Sequence, residues 1–229
     1  MELYKLDRMA NEGNREYIYR TLRESIINAT IKPGETISEP KLQQYFNVSR
    51  SPIREALSIL QYERLIKVEP KKTTQVVLID SEYILESRLL RCRMEKEVMI
   101  NICTRMETGP LVKDLTNIIA RAEKLINRQS SMKVIFNYDT LFHETVFKYS
   151  GLKYMWDMIR TSNIQYNRFL NLYIEEKLYG KQFIRDHKLV IKWLKKKEIE
   201  ALIDYTDNNY ERIAMYLREL ETRHPNYFC

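Results

Sequence analysis

Two arginines four residues apart, Arg50 and Arg54, open a segment whose apolar residues follow helical spacing. Pro52 fits only in the first turn of a helix, where the N–H that proline lacks would have no internal partner. On such a helix Ile53 and Leu57 face inward while the two guanidinium groups share the outer face. Because a guanidinium can bond guanine O6 and N7 together, the pair indicates a helix that reads DNA.

The elements around this helix predict the domain that carries it. Helices are predicted over about residues 15–29 and 38–47, before the arginine-bearing helix. Two short runs rich in β-branched residues, 65–68 and 75–79, follow it as the strands of a hairpin would. Three helices and a β-wing make a winged helix-turn-helix domain, which we expect over residues 1–79.

Basic residues are concentrated in the same part of the chain. The formal net charge is +7, and seven basic residues against three acidic ones lie between positions 41 and 72. A polyanionic partner is therefore favoured, with double-stranded DNA as the expected one. Lysines neutralise phosphates without reading sequence, and we expect this of Lys41, Lys71 and Lys72.

The rest of the chain, residues 80–229, predicts an all-helical domain without a convincing strand, so the fold class is mainly α. Gly109-Pro110, Gly151 and Gly180 separate stretches with apolar residues three and four positions apart. The predicted helices span about 81–106, 110–128, 132–149, 153–176, 181–196 and 198–221.

These motifs resemble a known family. The pattern Lys32-Pro33-Gly34-Glu35, then Ser38-Glu39, then the segment from Val48 to Leu57 is similar to the N-terminal domain of GntR-family bacterial transcription regulators. The all-helical second domain resembles the FCD type, the effector-binding domain of the FadR-like subgroup. The resemblance implies major-groove and backbone contacts with DNA by four residues at the start of the third helix: Ser49, Arg50, Ser51 and Arg54.

The predicted wing departs from that family at Thr73, where a glycine is usual. Threonine does not adopt positive φ cheaply, so the wing tip is expected to differ in shape. We include Thr73 among the DNA-contacting residues because of its position in the wing.

Polar side chains recur on the apolar faces of three predicted helices in the second domain. Asp139 and His143 are four residues apart on one helix, and His187 and Asn209 take similar positions on two others. Buried polar groups need partners, which could be one another, water, a metal or a ligand. Without the family, an Asp-x-x-x-His pair is more often a hydrogen-bonded core pair than a metal site.

The resemblance to FCD domains makes a metal site as well supported as a core pair. The metal-binding pattern there is an Asp, a His one helical turn later, and two further His on the last two helices, which Asp139, His143 and His187 fit in three places. Asn209 stands at the fourth and supplies only a weaker neutral oxygen. Zinc, nickel or manganese would suit an Asp oxygen and two imidazoles.

The resemblance also implies that organic acids bind in this cavity, often against the metal. Arg91 and Glu95, in a pattern similar to the first FCD helix, and Arg168 are candidates to face the effector, with Tyr138 as a candidate wall. Salt bridges are an equally open interpretation of the charged residues, and core packing is the favoured interpretation of the tyrosine.

Together these features predict a ligand-responsive transcription regulator, not an enzyme, that binds a pseudo-palindromic operator as a homodimer. A hinge is expected near residues 79–81. One alternative is a metal-dependent enzyme with an N-terminal docking module, although His143-Glu144 does not continue into a HExxH zinc motif. Another is a protein that compacts DNA without sequence preference.

Localisation follows from what the chain lacks. No run approaches the roughly 20 apolar residues of a membrane span, and residues 1–14 contain no apolar signal-peptide core. Three cysteines form no close-spaced metal pair and are too few for a disulfide framework. We expect a cytoplasmic protein with no membrane partner.

Overall fold

The computed structural model describes residues 2–68, 74–126, 132–173 and 179–229. These residues form ten α-helices and one small antiparallel sheet, which confirms the mainly helical fold class. In the described part of the chain, none of the helices has the length and apolar character needed to cross a membrane. The chain divides into two compact units. The first comprises Met1–Ser81, Gln165–Leu172 and Glu219–Cys229, and the second comprises Glu82–Ile164 and Tyr173–Arg218.

The first unit contains the predicted winged helix-turn-helix. Its elements are α1 (Asn14–Ile27), β1 (Thr36–Ile37), α2 (Glu39–Phe46), α3 (Arg50–Tyr62), β2 (Ile66–Val68) and β3 (Thr74–Val76).

The three strands lie in the order β1-β3-β2, with β3 antiparallel to both neighbours. Strand β1 is too short to have been predicted from sequence. The other two strands agree with the predicted hairpin to within a few residues.

Asn47 sets the turn between α2 and α3. Its backbone is left-handed (φ 52°), a conformation that asparagine tolerates better than most residues, and it ends α2. Ser49 is extended and precedes α3, so Pro52 falls in the first turn as predicted. Helix α3 then packs on α1 through fully buried side chains, including Ile53 and Leu60.

The second unit is all helical, as expected. It contains α4 (Ser81–Arg105), α5 (Gly109–Ile126), α6 (Met132–Tyr149), α7 (Lys153–Ser162), α9 (Tyr179–Lys196) and most of α10 (Ile199–Arg223).

Helix α5 packs against α6 and α9, and its buried residues Leu111, Leu115 and Ile119 belong to one apolar core with Phe142 and Phe147 of α6. That core fixes the face of α6 from which Asp139 and His143 project.

The single helix predicted over 153–176 is wrong, because the structure has two helices there, α7 and α8 (Ile164–Tyr173). The N–H of Asn163 bonds the carbonyl of Arg160, three residues back, and this tighter turn ends α7. Residues 165–172 of α8 belong to the first unit.

Two late segments of the chain hold the stretch after β3. The Arg168 guanidinium donates to the carbonyls of Val77 (2.7 Å) and Leu78 (3.3 Å). The N–H of Ile79 bonds the carbonyl of Tyr227, and the carbonyl of Ile79 accepts from the N–H of Cys229. Residues 77–79 are therefore held by side-chain and backbone groups that lie far away in sequence.

Candidate nucleic-acid interface and metal site

The outer face of α3 is open to solvent. Arg50, Ser51 and Arg54 are exposed on it, and Ser49 before the helix and Lys41 on α2 are exposed as well. The structure thus brings five of the eight predicted DNA-contacting residues to the surface of the same domain. The other three, Lys71, Lys72 and Thr73, lie outside the described residues.

An acidic residue lies beside the second arginine of the pair. Arg54 Nε is 3.3 Å from Glu39 Oε2, at the start of α2. Both side chains are partly exposed, and an ion pair of this kind contributes only about 0–1 kcal/mol to stability. The contact orients the guanidinium at little energetic cost, and sequence reasoning missed it because the two residues are on different helices.

Part-buried side-chain hydrogen bonds join the end of α3 to α1. Glu63, which follows α3, accepts from Arg23 Nε at 3.1 Å and from the hydroxyl of Tyr19. Burial, together with the Glu63 carboxylate, raises the pKa of Tyr19 to about 12. The tyrosine therefore stays a neutral donor at physiological pH, and the position of the far end of α3 is defined by both partners.

In the second unit, Asp139 and His143 of α6 meet His187 of α9. Their approaching atoms form a nearly equilateral triangle: Asp139 Oδ1 is 3.6 Å from His143 Nε2 and 3.5 Å from His187 Nε2, and the two nitrogens are 3.4 Å apart. These three residues are the cluster of potential metal ligands found among the described residues.

The size of this triangle suits a transition metal. A point about 2.0 Å from all three atoms exists for sides of this length, and zinc binds imidazole nitrogen and carboxylate oxygen at about 2.0–2.2 Å. Both imidazoles are buried, and Asp139 is mostly buried. Three lone pairs converging in a desolvated place require a cation, which is a metal ion or a proton.

The outer nitrogens of both imidazoles have their own partners. His187 Nδ1 lies 2.8 Å from the carbonyl of Phe183, and His143 Nδ1 lies 2.8 Å from Glu95 Oε1 as an ion-pair contact rather than an aligned hydrogen bond. A proton on each Nδ1 leaves each Nε2 free to act as a ligand. Metal-binding histidines usually have this kind of support from a carbonyl or carboxylate.

Arg91 of α4 balances the two carboxylates. Its Nε bonds Glu95 Oε1 at 2.6 Å, and a terminal nitrogen lies 3.3 Å from Asp139 Oδ2. Burial disfavours ionised Asp139, but Arg91 and the imidazoles outweigh it and hold the pKa of Asp139 well below its usual value. The pKa of Glu95 is lowered in the same way, against burial, chiefly by Arg91 and His143.

The two imidazoles differ in protonation. Burial lowers the pKa of His187 to about 4, so this ring is neutral at pH 7. Burial and Arg91 also oppose the charge on His143, but Glu95 and Asp139 outweigh them and raise its pKa. Without a metal, His143 is therefore protonated more readily than His187.

Aromatic rings lie against both imidazoles of the cluster. Phe142 and Phe183 contact the ring of His187, with centroids 4.4 and 4.3 Å apart, and Trp156 of α7 stacks on His143 at 6.3 Å. Sequence reasoning missed Trp156, because a tryptophan on an apolar helix face gives no signal beyond core packing.

The remaining predicted pocket residues are placed differently. Tyr138 is half-buried and packs against the core of the second unit. Asn209 is half-buried on α10, and no described hydrogen bond joins it to the three ligands. Arg168 belongs to the first unit, where its guanidinium binds the carbonyls of residues 77 and 78, whereas Arg91 and Glu95 belong to the second.

A winged helix-turn-helix with exposed arginines, in one chain with a helical unit that encloses a polar cluster, defines a DNA-binding regulator. Residues 14–76 match the bacterial regulatory proteins of the gntR family, and residues 86–211 match the FCD domain. The chain belongs to the GntR family of bacterial transcription regulators and carries an FCD domain, as its motifs predicted.

Relatives agree over most of their length. The chain is 30% identical to the gluconate operon transcriptional repressor of Bacillus licheniformis, over 87% of this chain and 83% of that protein. It is 29% identical to the uncharacterized HTH-type transcriptional regulator YdhC of Bacillus subtilis, over 88% and 90%. These relatives are named as transcriptional regulators, and GntR-family regulators are not enzymes, so the metal-enzyme alternative is set aside.

Solved structures share the fold. The chain resembles E. coli McbR/YncC with a TM-score of 0.67 and 17% identity, covering 91% of this chain and 99% of that one. A putative GntR transcriptional regulator from Rhodococcus sp. RHA1 gives a TM-score of 0.65 and 20% identity, covering 90% and 97%. Both confirm the fold predicted from sequence.

Proposed function

We propose that the protein is a ligand-responsive transcription regulator that binds a pseudo-palindromic operator as a homodimer. In this proposal each subunit places α3 in one major-groove half-site, where Arg50 and Arg54 contact bases or phosphates. The exposed face of α3 supports it, because both guanidinium groups lie on one helix side while the apolar side is buried against α1. A symmetric dimer matches a symmetric site.

The DNA part is tested with Arg50→Ala and Arg54→Ala in fluorescence anisotropy on the promoter of the neighbouring operon. Each change should lower operator affinity about 5- to 150-fold, the range for one bidentate base contact of about 1–3 kcal/mol. Arg105→Ala is the matched control. Arg105 is exposed at the end of α4, and its substitution removes the same charge from the protein. Unchanged affinity in both α3 variants would refute the proposal.

The homodimer is tested by light scattering during size exclusion. The expected mass is twice that of the 27.7 kDa chain. A mass equal to one chain at the concentrations that give full operator binding would contradict binding as a dimer.

Binding to promoter and to unrelated DNA with equal affinity at moderate salt would instead favour a DNA-compacting protein.

For the sensing part, we infer a divalent metal held by Asp139, His143 and His187, with a small carboxylate as effector. The structural observation that supports the metal is the triangle formed by the three ligand atoms. The other ring nitrogen of each histidine already contacts Phe183 or Glu95. A bound divalent metal would supply Lewis acidity and positive charge that attract an anion. Two relatives are named as repressors of a gluconate operon, and gluconate is a carboxylate. These names support a carboxylate as the effector.

Calorimetric titration of chelator-treated protein with zinc, nickel and manganese tests the metal. Loss of a residue that only supports a metal ligand weakens metal binding about 10- to 100-fold. His143→Ala and His187→Ala each remove a ligand, so each should weaken metal binding by more than that. His224→Ala is the control, because His224 is the remaining histidine and is exposed. No uptake of any of the three metals by the unsubstituted protein would remove the metal from the proposal.

A further inference from the structure

Trp156 contains a buried donor with no acceptor. The side chain is 1% exposed, and its indole Nε1–H has no hydrogen-bond partner among the described residues. Nearly all buried polar groups in proteins are paired, because a donor removed from water and left unpaired is costly. An exception at a binding site points to a partner that belongs to a ligand.

Three neighbouring side chains hold the indole ring in place. The His143 ring is stacked on it, at 6.3 Å between centroids and 17° between planes, and the carbon of the Arg91 guanidinium lies 5.5 Å from the ring centroid. Phe147 contacts it at 5.4 Å. The unpaired N–H is thus part of a rigid side chain that touches one candidate metal ligand and the cation beside another.

The carboxylates at this place contact Arg91 and the imidazoles, and neither accepts a hydrogen bond from the Trp156 N–H. Glu95 accepts from Arg91 and lies against His143, and Asp139 lies against Arg91 and both imidazoles. An additional acceptor for Trp156 must then come from a bound molecule. An indole N–H can only donate, and Arg91 together with the proposed divalent metal would outweigh the charge of Glu95 and Asp139, so the matching group is an oxyanion.

We propose that Trp156 is a specificity-determining residue that donates its indole N–H to the carboxylate of the effector. This inference rests on the proposed sensing function and adds a residue and a bond to it. Trp156 selects acceptors at this point, and the rings of Phe142 and Trp156 beside the imidazoles favour a small ligand. A buried water in place of the effector is the competing occupant that the experiment distinguishes.

The test uses the full chain with Trp156→Phe, and Trp193→Phe as the matched control, since these are the two tryptophans of the protein. The probes are acetate, lactate, gluconate and citrate, titrated calorimetrically into zinc-loaded protein. Trp156→Phe should bind the tightest of these carboxylates about 10- to 100-fold more weakly, as expected for loss of a hydrogen bond to a charged group. Trp193→Phe should bind it like the unsubstituted protein.

Two readouts separate a binding role from a structural one. Zinc affinity should be unchanged in Trp156→Phe, although its urea midpoint should fall somewhat because the smaller ring leaves a cavity in the core. In Trp193→Phe the remaining emission comes from Trp156, and it should change when the carboxylate is added.

Equal carboxylate affinity in Trp156→Phe and the unsubstituted protein would overturn the inference and indicate a buried water, while leaving the metal and effector proposals intact. Failure of all four carboxylates to bind the unsubstituted protein would also overturn it. Absence of zinc binding in the same titrations identifies a failure of the proposed sensing function itself.

Discussion

Arg168→Met is expected to destabilise the first unit strongly, although the residue lies far in sequence from the winged helix-turn-helix. The Arg168 side chain is 2% exposed and donates to the carbonyls of Val77 and Leu78 and to Gln165 Oε1, at 2.7, 3.3 and 3.0 Å. Burial lowers the pKa of Arg168 to about 10, so the group remains charged at pH 7.

The magnitude follows from opposing contributions. Methionine leaves three oxygens without their charged donor, two of which are in part-buried contacts, and each such loss costs about 1–3 kcal/mol. Removing a desolvated charge and adding an apolar side chain of similar length offsets part of this loss. The net decrease in unfolding free energy should be about 2–4 kcal/mol.

Urea unfolding of the full chain measures the decrease, with Arg105→Met as the exposed control, which should change stability by less than about 0.5 kcal/mol. Arg168→Lys should fall between the two, since an ammonium group cannot make three bonds in the planar arrangement of a guanidinium. Hydrogen exchange at residues 77–81 should accelerate in Arg168→Met. If Arg168→Met changed stability as little as the exposed control does, the prediction would be wrong. The three contacts of Arg168 would then contribute nothing measurable to stability.

Three further outcomes are expected. Arg91→Met should destabilise chelator-treated protein by about 3–5 kcal/mol, because two carboxylates lose the guanidinium that faces them. In urea titrations, zinc should restore more stability to this variant than to the unsubstituted protein. The stability that Tyr19 contributes should be complete below pH 10 and lost as the pH rises to about 12, the folded-state pKa; Tyr19→Phe should lack this loss in thermal melts. Glu39→Gln should change stability by less than about 1 kcal/mol but raise affinity for unrelated DNA in anisotropy titrations, because Arg54 is released and a charge that repels phosphate is removed.

The sequence was sufficient where local spacing determines structure. Pro52 and the turn at Asn47 fix the beginning of α3, so the exposure of Arg50 and Arg54 on one face could be predicted. Likewise, Asp139 and His143 share a helix face because of their spacing alone, and the structure places His187 against them.

Longer-range features could not be predicted. Strand β1 exists because Thr36 and Ile37 pair with β3, which comes much later in the chain, and so short a strand carries no periodicity of its own. The break between α7 and α8 has no glycine or proline to mark it. The role of Arg168 depends on which carbonyls α8 meets, and helical spacing identifies a face of α8 but not its partner.

The pairing of Ile79 with residues 227–229 has a consequence for biosynthesis. Bonds between these positions close a loop of about 150 residues, so they form only after residues 227–229 have left the ribosome. We therefore expect α1, α2, α3 and the wing to emerge first but to remain incompletely braced during translation. A nascent chain is then expected to reach its final affinity for DNA only after the helical domain has also been synthesised.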